Sequence, residues 1–487
     1  MIPAVSPAEM RALEDELFAS GVDPAELMAV AARELSAAIF RHCPLAVGRA
    51  VLFAGKGHNA GDGYLCLREL AERGWEIFEA LACDPDELKP LTAAARASCQ
   101  PAQWSTDLAD DERPLLVLDG LLGIGASGAP RGAVRDAIAE MNGIRARKRQ
   151  TYLVAIDAPT GLDAGTGEVP AEAVKAHLSV TFGRAKHGLL MEKAAPWVGR
   201  LTRVPLPGIA CDEVLVTGRA VGRFLPKRDP SWHKGTAGRV SIIAGSPGYL
   251  GAAQLCAEAA LRAGAGLVTL WCDEVTYPLL ASRLRPEIMV RVLDQAEELR
   301  EFRCDAFVIG PGLGARCDAL FPWYREEERP VVADADFLSY LSRQAVSDWP
   351  AKGPRIWTPH PGEAARFFPE DEEVSPESHQ SRLSRQARAT ILWKGARTRI
   401  VEEASGTCFV NSSGHPGMAS AGMGDVLAGV IAALRAQGLA DPQAAASAAW
   451  LCGRAAELAC HPGAESWESC TASDVCHSLG ATYRSLP

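Results

Sequence analysis

The sequence predicts an α/β protein made of two domains, each a parallel sheet with helices on both faces. Short apolar runs such as residues 50–54 and 240–244 alternate with segments of helical periodicity. The 487 residues exceed what one hydrophobic core usually supports. A proline-interrupted stretch beginning near residue 205 resembles a linker, so we expect the domains at residues 1–215 and 222–487.

The first half of the chain alternates predicted helices, strands and glycine-rich loops. Two segments with apolar residues at helical spacing precede residue 40 and predict two helices, with the break between them at residues 21–24. Three buried strands then end in loops rich in glycine and aspartate: 50–54 before the loop 55–63, 115–118 before Asp119, and 152–156 before Asp157. A helix is predicted from Tyr64 to about Arg73. Because loops after the carboxyl ends of parallel strands meet at one edge, we expect a composite ligand site there.

The second half repeats this pattern with more strands. The predicted strands and the segments that follow them are 240–244 before GSPGYLG, 263–272, 306–309 before GPGLG, 331–333 before Asp334, 355–357 before TPHPGE, and 389–393 before Lys394. The two halves share no close sequence repeat. They share an architecture, which again predicts a ligand site at the carboxyl edge of a parallel sheet.

The segment HPGMASAGMGDVLAGV, residues 415–430, is the most informative part of the chain. Small residues precede Asp425, and an apolar run at helical spacing follows it. This order places a glycine-lined turn at a helix N-terminus, which attracts phosphate and lets it approach the backbone. A carboxylate beside a phosphate site can accept the proton of a hydroxyl that attacks phosphorus. The alternative is that Asp425 merely caps a buried helix.

Three other polar residues come directly after predicted strands in the first half. Asn59, Asp119 and Thr160 offer an amide oxygen, a carboxylate and a hydroxyl, which are the donors that alkali and alkaline-earth cations prefer. The alternative is that Asn59 and Thr160 close turns while Asp119 caps a helix, and the pattern by itself favours this alternative.

Two residues of the second half are further candidates. His360 is flanked by prolines, which fix its loop, and a histidine displayed in this way is typical of a site residue. Lys394 ends a buried strand beside a glycine and suits a phosphate, although an ordinary surface lysine fits the pattern nearly as well.

Several classes of protein are disfavoured. The segment 123–128 has the spacing of a dinucleotide fingerprint but no acidic residue closing a next strand, and no GxxxxGKS/T loop occurs. The net charge of −10 and the pI of about 5.6 argue against nucleic acid or anionic membranes as partners. No apolar segment is long enough to span a bilayer, and no secretory signal is visible. The fourteen cysteines are scattered without metal-finger spacing, so we expect a reduced, cytoplasmic protein without structural zinc.

These motifs together resemble the bifunctional NAD(P)H-hydrate repair enzymes over essentially the whole chain. GKGHNAGDG, VLDGLLGIGASGAPRG and AIDAPTGLD resemble the motifs of an NAD(P)HX epimerase. HKGTAGRVSIIAGSPGYLGA, LRAGAGLVTL, GPGLG, TPHPGE, WKGART and AGMGDVLAG resemble, in order, those of the ADP-dependent (S)-NAD(P)H-hydrate dehydratase. The resemblance implies a Rossmann-like N-terminal domain and a ribokinase-like C-terminal domain, both three-layer αβα.

The resemblance also implies roles for single residues of the first domain. The hydrated cofactor would contact His58, Asn59, Ala60, Gly61, Asp62, Gly123, Ile124, Gly125, Ala126, Ser127, Gly128, Ala129 and Asp157. The resemblance further implies that Asn59, Asp119 and Thr160 bind a potassium ion. This differs from the turn-closing and helix-capping roles that the pattern by itself favours. We expect Asp157 to be the proton-transfer residue that interconverts the R and S forms at C6 of the nicotinamide ring.

For the second domain, the resemblance implies a substrate site and a nucleotide site. The hydrated nicotinamide nucleotide would contact Ala252, Gly314, His360 and Asp425, and ADP would be held by Lys394, Gly395, Ala396, Arg397, Thr398 and Gly424. We expect Asp425 to accept the proton of the C6 hydroxyl as it attacks the terminal phosphate of ADP, with Mg²⁺ neutralising charge. The resemblance implies NADHX, NADPHX and ADP as the small-molecule partners, and we expect a homo-oligomer.

Some residues depart from the family pattern, and other functions remain open. His58 and Ala60 replace an asparagine and a glycine of the family's first loop, and Met423 replaces the more usual threonine. A ribokinase-type small-molecule kinase, such as a hydroxymethylpyrimidine or hydroxyethylthiazole kinase, would use Asp425 in the same way but leave a stable phosphoester. A non-catalytic scaffold and a dehydrogenase are further alternatives.

Overall fold

The computed structural model describes residues 4–126, 128–210, 214–369, 375–461 and 465–487. The chain divides into two compact units, one ending at Leu215 and the other beginning at Val216. Successive residues of the central strands pack into different cores, as period-two alternation requires in a sheet covered on both faces. In the first unit, Val51 and Phe53 lie in one core and Leu52 and Ala54 in another. The predicted α/β class is confirmed.

The first unit is a seven-stranded sheet in the order β3-β2-β1-β4-β5-β6-β7, and every strand pair is parallel. Its strands are β1 (Arg49–Ala54), β2 (Glu76–Leu81), β3 (Ala102–Gln103), β4 (Leu115–Gly120), β5 (Thr151–Ile156), β6 (Leu178–Phe182) and β7 (Arg200–Val204). Its helices are α1 (Pro7–Ala19), α2 (Pro24–His42), α3 (His58–Glu72), α4 (Pro90–Cys99), α5 (Gly132–Arg147) and α6 (Ala195–Val198). The strand order reverses between β1 and β4, where an open parallel sheet forms a ligand crevice.

The second unit is a nine-stranded sheet in the order β10-β9-β8-β11-β12-β13-β14-β15-β16. Its strands are β8 (Arg239–Ile243), β9 (Leu267–Cys272), β10 (Ile288–Val292), β11 (Ala306–Ile309), β12 (Val331–Ala333), β13 (Arg355–Trp357), β14 (Thr390–Trp393), β15 (Thr398–Glu402) and β16 (Thr407–Asn411). The last two strands pair antiparallel, which the sequence pattern did not predict. The order reverses between β8 and β11, which predicts a second crevice there.

Helices cover both faces of the second sheet. They are α7 (Gly218–Phe224), α8 (Leu250–Arg262), α9 (Tyr277–Ala281), α10 (Glu297–Glu301), α11 (Cys317–Glu326), α12 (Ala335–Leu341), α13 (Pro361–Ala364), α14 (Pro376–Ala387), α15 (Met423–Ala436), α16 (Asp441–Ala459) and α17 (Ala472–Arg484). Helix α15 crosses α8 at very short range: a Cβ added to Gly429 would lie 2.1 Å from the Cys256 carbonyl oxygen. Glycine is therefore required at this crossing, and the contact fixes the depth of α15 beside the sheet.

Candidate active sites

The glycine-rich segment after β1 forms the first turns of a helix. We predicted a loop to Gly63 and a helix from Tyr64, and this boundary is wrong: α3 begins at His58 after Gly57. Tertiary packing explains the difference, since a Cβ on Gly63 would lie 2.6 Å from a Leu52 methyl group. Glycine thus lets α3 lie close to the sheet. The first N–H groups of α3, which lack intrahelical partners, therefore lie at the β1–β4 crevice.

The three predicted cation ligands lie together at this crevice. The Asn59 amide donates to the carbonyl oxygens of Leu122 and Ile156, both at 3.1 Å. The Thr160 hydroxyl donates to Asp119 Oδ1 at 2.7 Å, and the Thr160 N–H donates to Asp119 Oδ2 at 2.8 Å. The Leu122 N–H donates in turn to the Thr160 hydroxyl. One hydrogen-bonded network therefore joins three different strand ends.

The chemistry of this network fits a monovalent cation. Asp119 is fully buried, and the hydrogen-bond donors recorded for its carboxylate are neutral: Thr160 and the Leu121 N–H. Burial raises the pKa of Asp119 to about 6, although these hydrogen bonds oppose the shift. A buried carboxylate without a neighbouring positive charge is costly, and a bound cation would remove that cost. Carbonyl, amide, hydroxyl and carboxylate oxygens are suitable ligands.

Asp157 lies directly after β5 in an uncommon backbone conformation. Its φ of 64° is in the left-handed region, which aspartate tolerates better than most residues. Its Oδ1 accepts three hydrogen bonds: from the Lys186 ammonium at 2.7 Å, the Thr181 hydroxyl at 3.0 Å and the Phe182 N–H at 3.2 Å. A strand end, a strained backbone and a buried ion pair meet at this residue, as is typical of functional sites.

Two further carboxyl groups interact electrostatically with Asp157. Asp62, in the second turn of α3, has a pKa well above its usual range, because it is desolvated and because Asp157 and Glu14 are negatively charged. Burial also raises the pKa of Glu14 on α1, and the charge of Asp157 adds to the shift. Burial and like charge therefore favour the protonated forms of Asp62 and Glu14, and a protonated carboxyl group can donate a proton.

The loop after β4 completes the first site. A Cβ on Gly123 would lie 3.7 Å from Asn59 Cβ, so this loop lies against the start of α3. The Ala126 N–H donates to the Gly123 carbonyl and closes a turn. Gly128 has a φ of 83°, which requires glycine or a similarly tolerant residue. Ser127 lies outside the described residues.

In the second unit, Asp425 lies in the first turn of α15. The preceding Gly422 has a φ of 88°, which fixes the glycine-lined turn that we predicted. A Cβ on Gly424 would lie 3.3 Å from Lys394 Nζ and 3.6 Å from Asp334 Oδ2. The structure therefore brings the Lys394 ammonium and the free N–H groups at the start of α15 together, and both can interact with a phosphate.

Lys394 is the centre of a network of charges at the ends of β12, β13 and β14. Its ammonium donates to Asp334 Oδ1 at 2.8 Å and lies 3.7 Å from Glu363 Oε2. The Thr358 hydroxyl donates to the same Asp334 oxygen. Glu363 accepts from the His360 N–H, while His360 Nδ1 accepts from the Gly362 and Glu363 N–H groups and caps α13. His360 therefore joins the network at its solvent side.

The electrostatics of this network set the proton affinity of Asp425. Burial raises the pKa of Asp425 to about 7, and the negative charges of Asp334 and Asp336 add to the shift while Lys394 opposes it. Burial likewise raises the pKa of Glu363. A carboxylate with a pKa near neutrality is matched to a general base.

The remaining predicted residues lie near the ends of β8, β11 and β14. Gly314, after β11, has a φ of 66° and donates its N–H to Asp336 Oδ2 at 2.8 Å. Ala252, in α8, lies 3.3 Å from where a Cβ on Gly312 would be. These two segments border the β8–β11 crevice. Residues 394–398 form the β14–β15 turn, in which the Thr398 hydroxyl donates to the Gly395 carbonyl.

Another group of potential ligands lies beside the loop before α15. The side-chain donor atoms of His415, Cys460 and Cys470 lie within 4.8 Å of one another. However, His415 Nδ1 accepts from the Gly417 N–H, so Nε2 carries the proton and faces the Ala456 carbonyl at 3.1 Å. A histidine binds a metal through an unprotonated ring nitrogen whose lone pair is free. Here the lone pair of Nδ1 is used by the Gly417 N–H and Nε2 carries a proton. His415 is therefore best explained as a helix cap.

Sequence reasoning missed several residues of both sites. Lys186 lies in an ordinary-looking segment, FGRAKHG, and carries no motif. Asp334 was noted only as a strand end, and Glu363 only as part of TPHPGE. The ion pairs Lys186–Asp157 and Lys394–Asp334 join residues 29 and 60 positions apart in the chain, so no local pattern indicates them.

The fold defines a two-domain α/β enzyme with a group of candidate site residues in each unit. In the first unit they lie at the β1–β4 crevice, and in the second they lie at the ends of β12, β13 and β14 and at the start of α15. Two family models match the chain: one described as YjeF-related protein N-terminus at residues 24–188, and one described as NAD(P)H-hydrate dehydratase at residues 240–477. Within the described residues, no helix is both long and apolar enough to cross a membrane.

Curated relatives match the chain over nearly its whole length. The bifunctional NAD(P)H-hydrate repair enzyme of Coxiella burnetii is 34% identical over 94% of this chain and 95% of the relative. That of Moorella thermoacetica is 35% identical over 84% of this chain and 83% of the relative. A solved structure of the Bacillus subtilis ADP/ATP-dependent NAD(P)H-hydrate dehydratase is 27% identical, with a TM-score of 0.49, and covers 57% of this chain and 100% of that chain. The chain belongs to the family of bifunctional NAD(P)H-hydrate repair enzymes, and the resemblance found in the sequence is confirmed.

Proposed function

We propose that this enzyme restores hydrated nicotinamide cofactors by two reactions on separate domains. The first unit interconverts the R and S forms of NADHX and NADPHX, and the second dehydrates the S form at the expense of ADP. The observation that supports the second reaction best is the half-buried Asp425 at the start of α15, with a pKa of about 7, beside the ammonium of Lys394. Free thiols throughout the described part of the chain support a reducing, cytoplasmic setting.

The dehydration is a phosphoryl transfer followed by an elimination. Asp425 accepts the proton of the C6 hydroxyl while the hydroxyl oxygen bonds to the terminal phosphorus of ADP. AMP leaves with the electrons of the broken phosphoanhydride bond. The ring nitrogen then expels phosphate from C6, and loss of a C5 proton gives NAD(P)H. The Gly424 and Asp425 N–H groups at the start of α15 stabilise negative charge on the transferred group.

The residues around Lys394 fit a nucleotide that arrives with Mg²⁺. Two buried carboxylates, Asp334 and Glu363, lie close to a single ammonium, so this side of the site can accept additional positive charge. We infer that these carboxylates would hold Mg²⁺, and that residues 394–398 with Gly424 would hold ADP. Mg²⁺ would neutralise charge on the transferred phosphate.

We propose that Asp157 is the residue of the first unit that moves a proton at the C6 hydroxyl. Its carboxylate is held at a strand end, close enough to Asp62 to raise the pKa of that group, so that one carboxyl can be ionised while another is protonated. We propose that the α3 N-terminus and the 123–129 loop bind the cofactor. A potassium ion bound by Asn59, Asp119 and Thr160 would hold together the three loops that carry these residues.

A mixture of R and S NADHX supplied with ADP and Mg²⁺ tests the whole proposal. We expect all of the mixture to return to NADH, with one AMP and one phosphate formed per NADH. Absorbance in the near ultraviolet and separation of the nucleotides measure both. A stable phosphoester in place of NADH would instead identify a ribokinase-type kinase.

Asp119→Ala should weaken epimerisation and destabilise the first unit, with little effect on dehydration. The substitution removes the acceptor of the Thr160 hydroxyl and of the Thr160 and Leu121 N–H groups, and each unsatisfied buried group costs about 1–3 kcal/mol. Epimerisation measured against K⁺ concentration, together with thermal unfolding, checks this. Asp119→Asn keeps the shape but removes the charge, so its epimerisation should lose dependence on K⁺. Unchanged K⁺ dependence in Asp119→Asn would contradict the ion's placement.

A further inference from the structure

Lys186 is a lysine with no access to solvent. It follows β6, and its ammonium donates to Asp157 Oδ1 at 2.7 Å, the Thr181 hydroxyl at 2.9 Å and the Phe182 carbonyl at 2.8 Å. An ammonium has three N–H donors, so all of its donors are used. A buried charge of this kind persists only where it is paired and fully hydrogen-bonded.

The backbone around Lys186 is fixed by the chain's N-terminal segment. Val5 forms an isolated parallel bridge with Lys186: the Val5 N–H donates to the Ala185 carbonyl at 3.1 Å, and the His187 N–H donates to the Val5 carbonyl at 2.9 Å. Lys186 is therefore held from both its backbone and its ammonium. This rigidity distinguishes it from an ordinary surface lysine, whose side chain samples many rotamers.

The charged groups around this ion pair come from different elements and are mostly negative. Asp157 follows β5 and contacts the ammonium, Asp62 on α3 interacts with Asp157, and Glu14 on α1 interacts with both Asp157 and Lys186. Asp15 and Arg11, also on α1, act in turn on Glu14. Burial and the neighbouring carboxylates raise the pKa of both Asp62 and Glu14. Lys186 thus supplies a positive charge among neighbouring acidic groups that repel one another.

We propose that Lys186 is a positioning residue for epimerisation: its ammonium pairs with the Asp157 carboxylate at Oδ1 and leaves Oδ2 to face the substrate. The inference rests on the proposed role of Asp157. All three donors to Asp157 bind Oδ1, and among the described residues no recorded hydrogen bond ends on Oδ2. Oδ2 is thus the oxygen available to exchange a proton. Lys186 acts through Asp157 and does not itself touch the reacting atoms.

The test compares Lys186→Met with Lys186→Arg and with a matched control, Lys193→Met. Lys193 lies in the same part of the chain but is exposed and pairs with Glu168 at the surface. The rate of R-to-S conversion is measured against pH, with the dehydratase activity of the same chain and its thermal unfolding as checks on folding. Lys193→Met should behave as the unchanged enzyme.

In Lys186→Met, kcat/KM for epimerisation should fall about tenfold or more at pH 7, and the acid limb of the profile should move up by about one to three pH units. Lys186→Arg keeps the positive charge, so its acid limb should stay in place even if the rate falls. Dehydration should be unchanged in both variants.

Two outcomes would overturn the inference. One is a folded Lys186→Met with the acid limb of the unchanged enzyme, since a purely structural lysine would alter rate without altering the pH profile. The other is a Lys186→Arg whose acid limb is displaced, which is decisive even if Lys186→Met does not fold. Full epimerisation by Asp157→Ala would instead refute the proposed function, so the two failures are distinguishable.

Discussion

Asp425→Asn should lower ADP-dependent dehydration by at least about a hundredfold and leave epimerisation intact. The amide preserves the shape of the side chain at the start of α15 but cannot accept the proton of the attacking hydroxyl, and a general base typically contributes 10²–10⁴-fold. The measurement is NADH formation from purified S-NADHX with saturating ADP and Mg²⁺. Epimerisation is followed separately in the same preparation.

The pH dependence of the same reaction provides a second measure of Asp425. Because its pKa is raised to about 7, the base is protonated below that pH and ionised above it. For the free enzyme, kcat/KM for dehydration should therefore rise with pH through about 7, and Asp425→Asn should lose this limb. Asp348→Asn, which alters a surface carboxylate paired with Arg325, is a matched control and should keep both rate and limb. Activity of Asp425→Asn within a few-fold of the unchanged enzyme would exclude Asp425 as the base.

The alternation of apolar runs and helical segments predicts the α/β class because both patterns are local. The residue at which α3 begins depends on contacts with residues distant in the chain. Residues 58–63 contain two glycines and an asparagine, which are poor helix formers, yet the close packing of Gly61 on Met28 and of Gly63 on Leu52 makes the helix favourable. The antiparallel hairpin of β15 and β16 was missed for a related reason, since strand direction depends on which neighbour a strand finds.

Motif residues and their partners differ in how far sequence can identify them. Asp425 and Lys394 were predicted from glycines and strand ends close to them in the chain. Asp334, which pairs with Lys394, is separated from it by 60 residues, and no local pattern indicates that these two charges meet. The raised pKa of Asp425 likewise results from burial and from charges on other elements. A sequence therefore identifies a nucleophile or base more readily than the groups that tune it.

The cation ligands show what a resemblance adds to local reasoning. From their positions alone, turn closure and helix capping explain Asn59, Asp119 and Thr160 better than a cation site does. The resemblance favoured a potassium site, and the structure joins all three residues through hydrogen bonds that include the Leu122 backbone. The convergence of the side chains supports the site, and the bound ion stays a prediction.

Asp157→Ala should stop conversion of R-NADHX to S-NADHX while leaving consumption of the S form unchanged. The substitution removes the proposed proton-transfer group from the first unit, whereas Asp425 and its neighbours belong to the second unit. With an R/S mixture, ADP and Mg²⁺, NADH recovery should therefore reach a plateau at the S fraction, apart from slow spontaneous epimerisation. The reaction is followed by near-ultraviolet absorbance.

The ion pair with Lys186 determines how this experiment must be controlled. Removing the carboxylate leaves a buried ammonium without its partner, which costs about 3–5 kcal/mol and can unfold the first unit. Asp157→Asn reduces this problem, because its amide oxygen can still accept from Lys186, Thr181 and the Phe182 N–H, yet it cannot take a proton. A folded Asp157→Asn should show the same plateau as Asp157→Ala. Fast, complete recovery of NADH by either folded variant would exclude Asp157 as the proton-transfer residue, since spontaneous epimerisation alone is too slow to produce it.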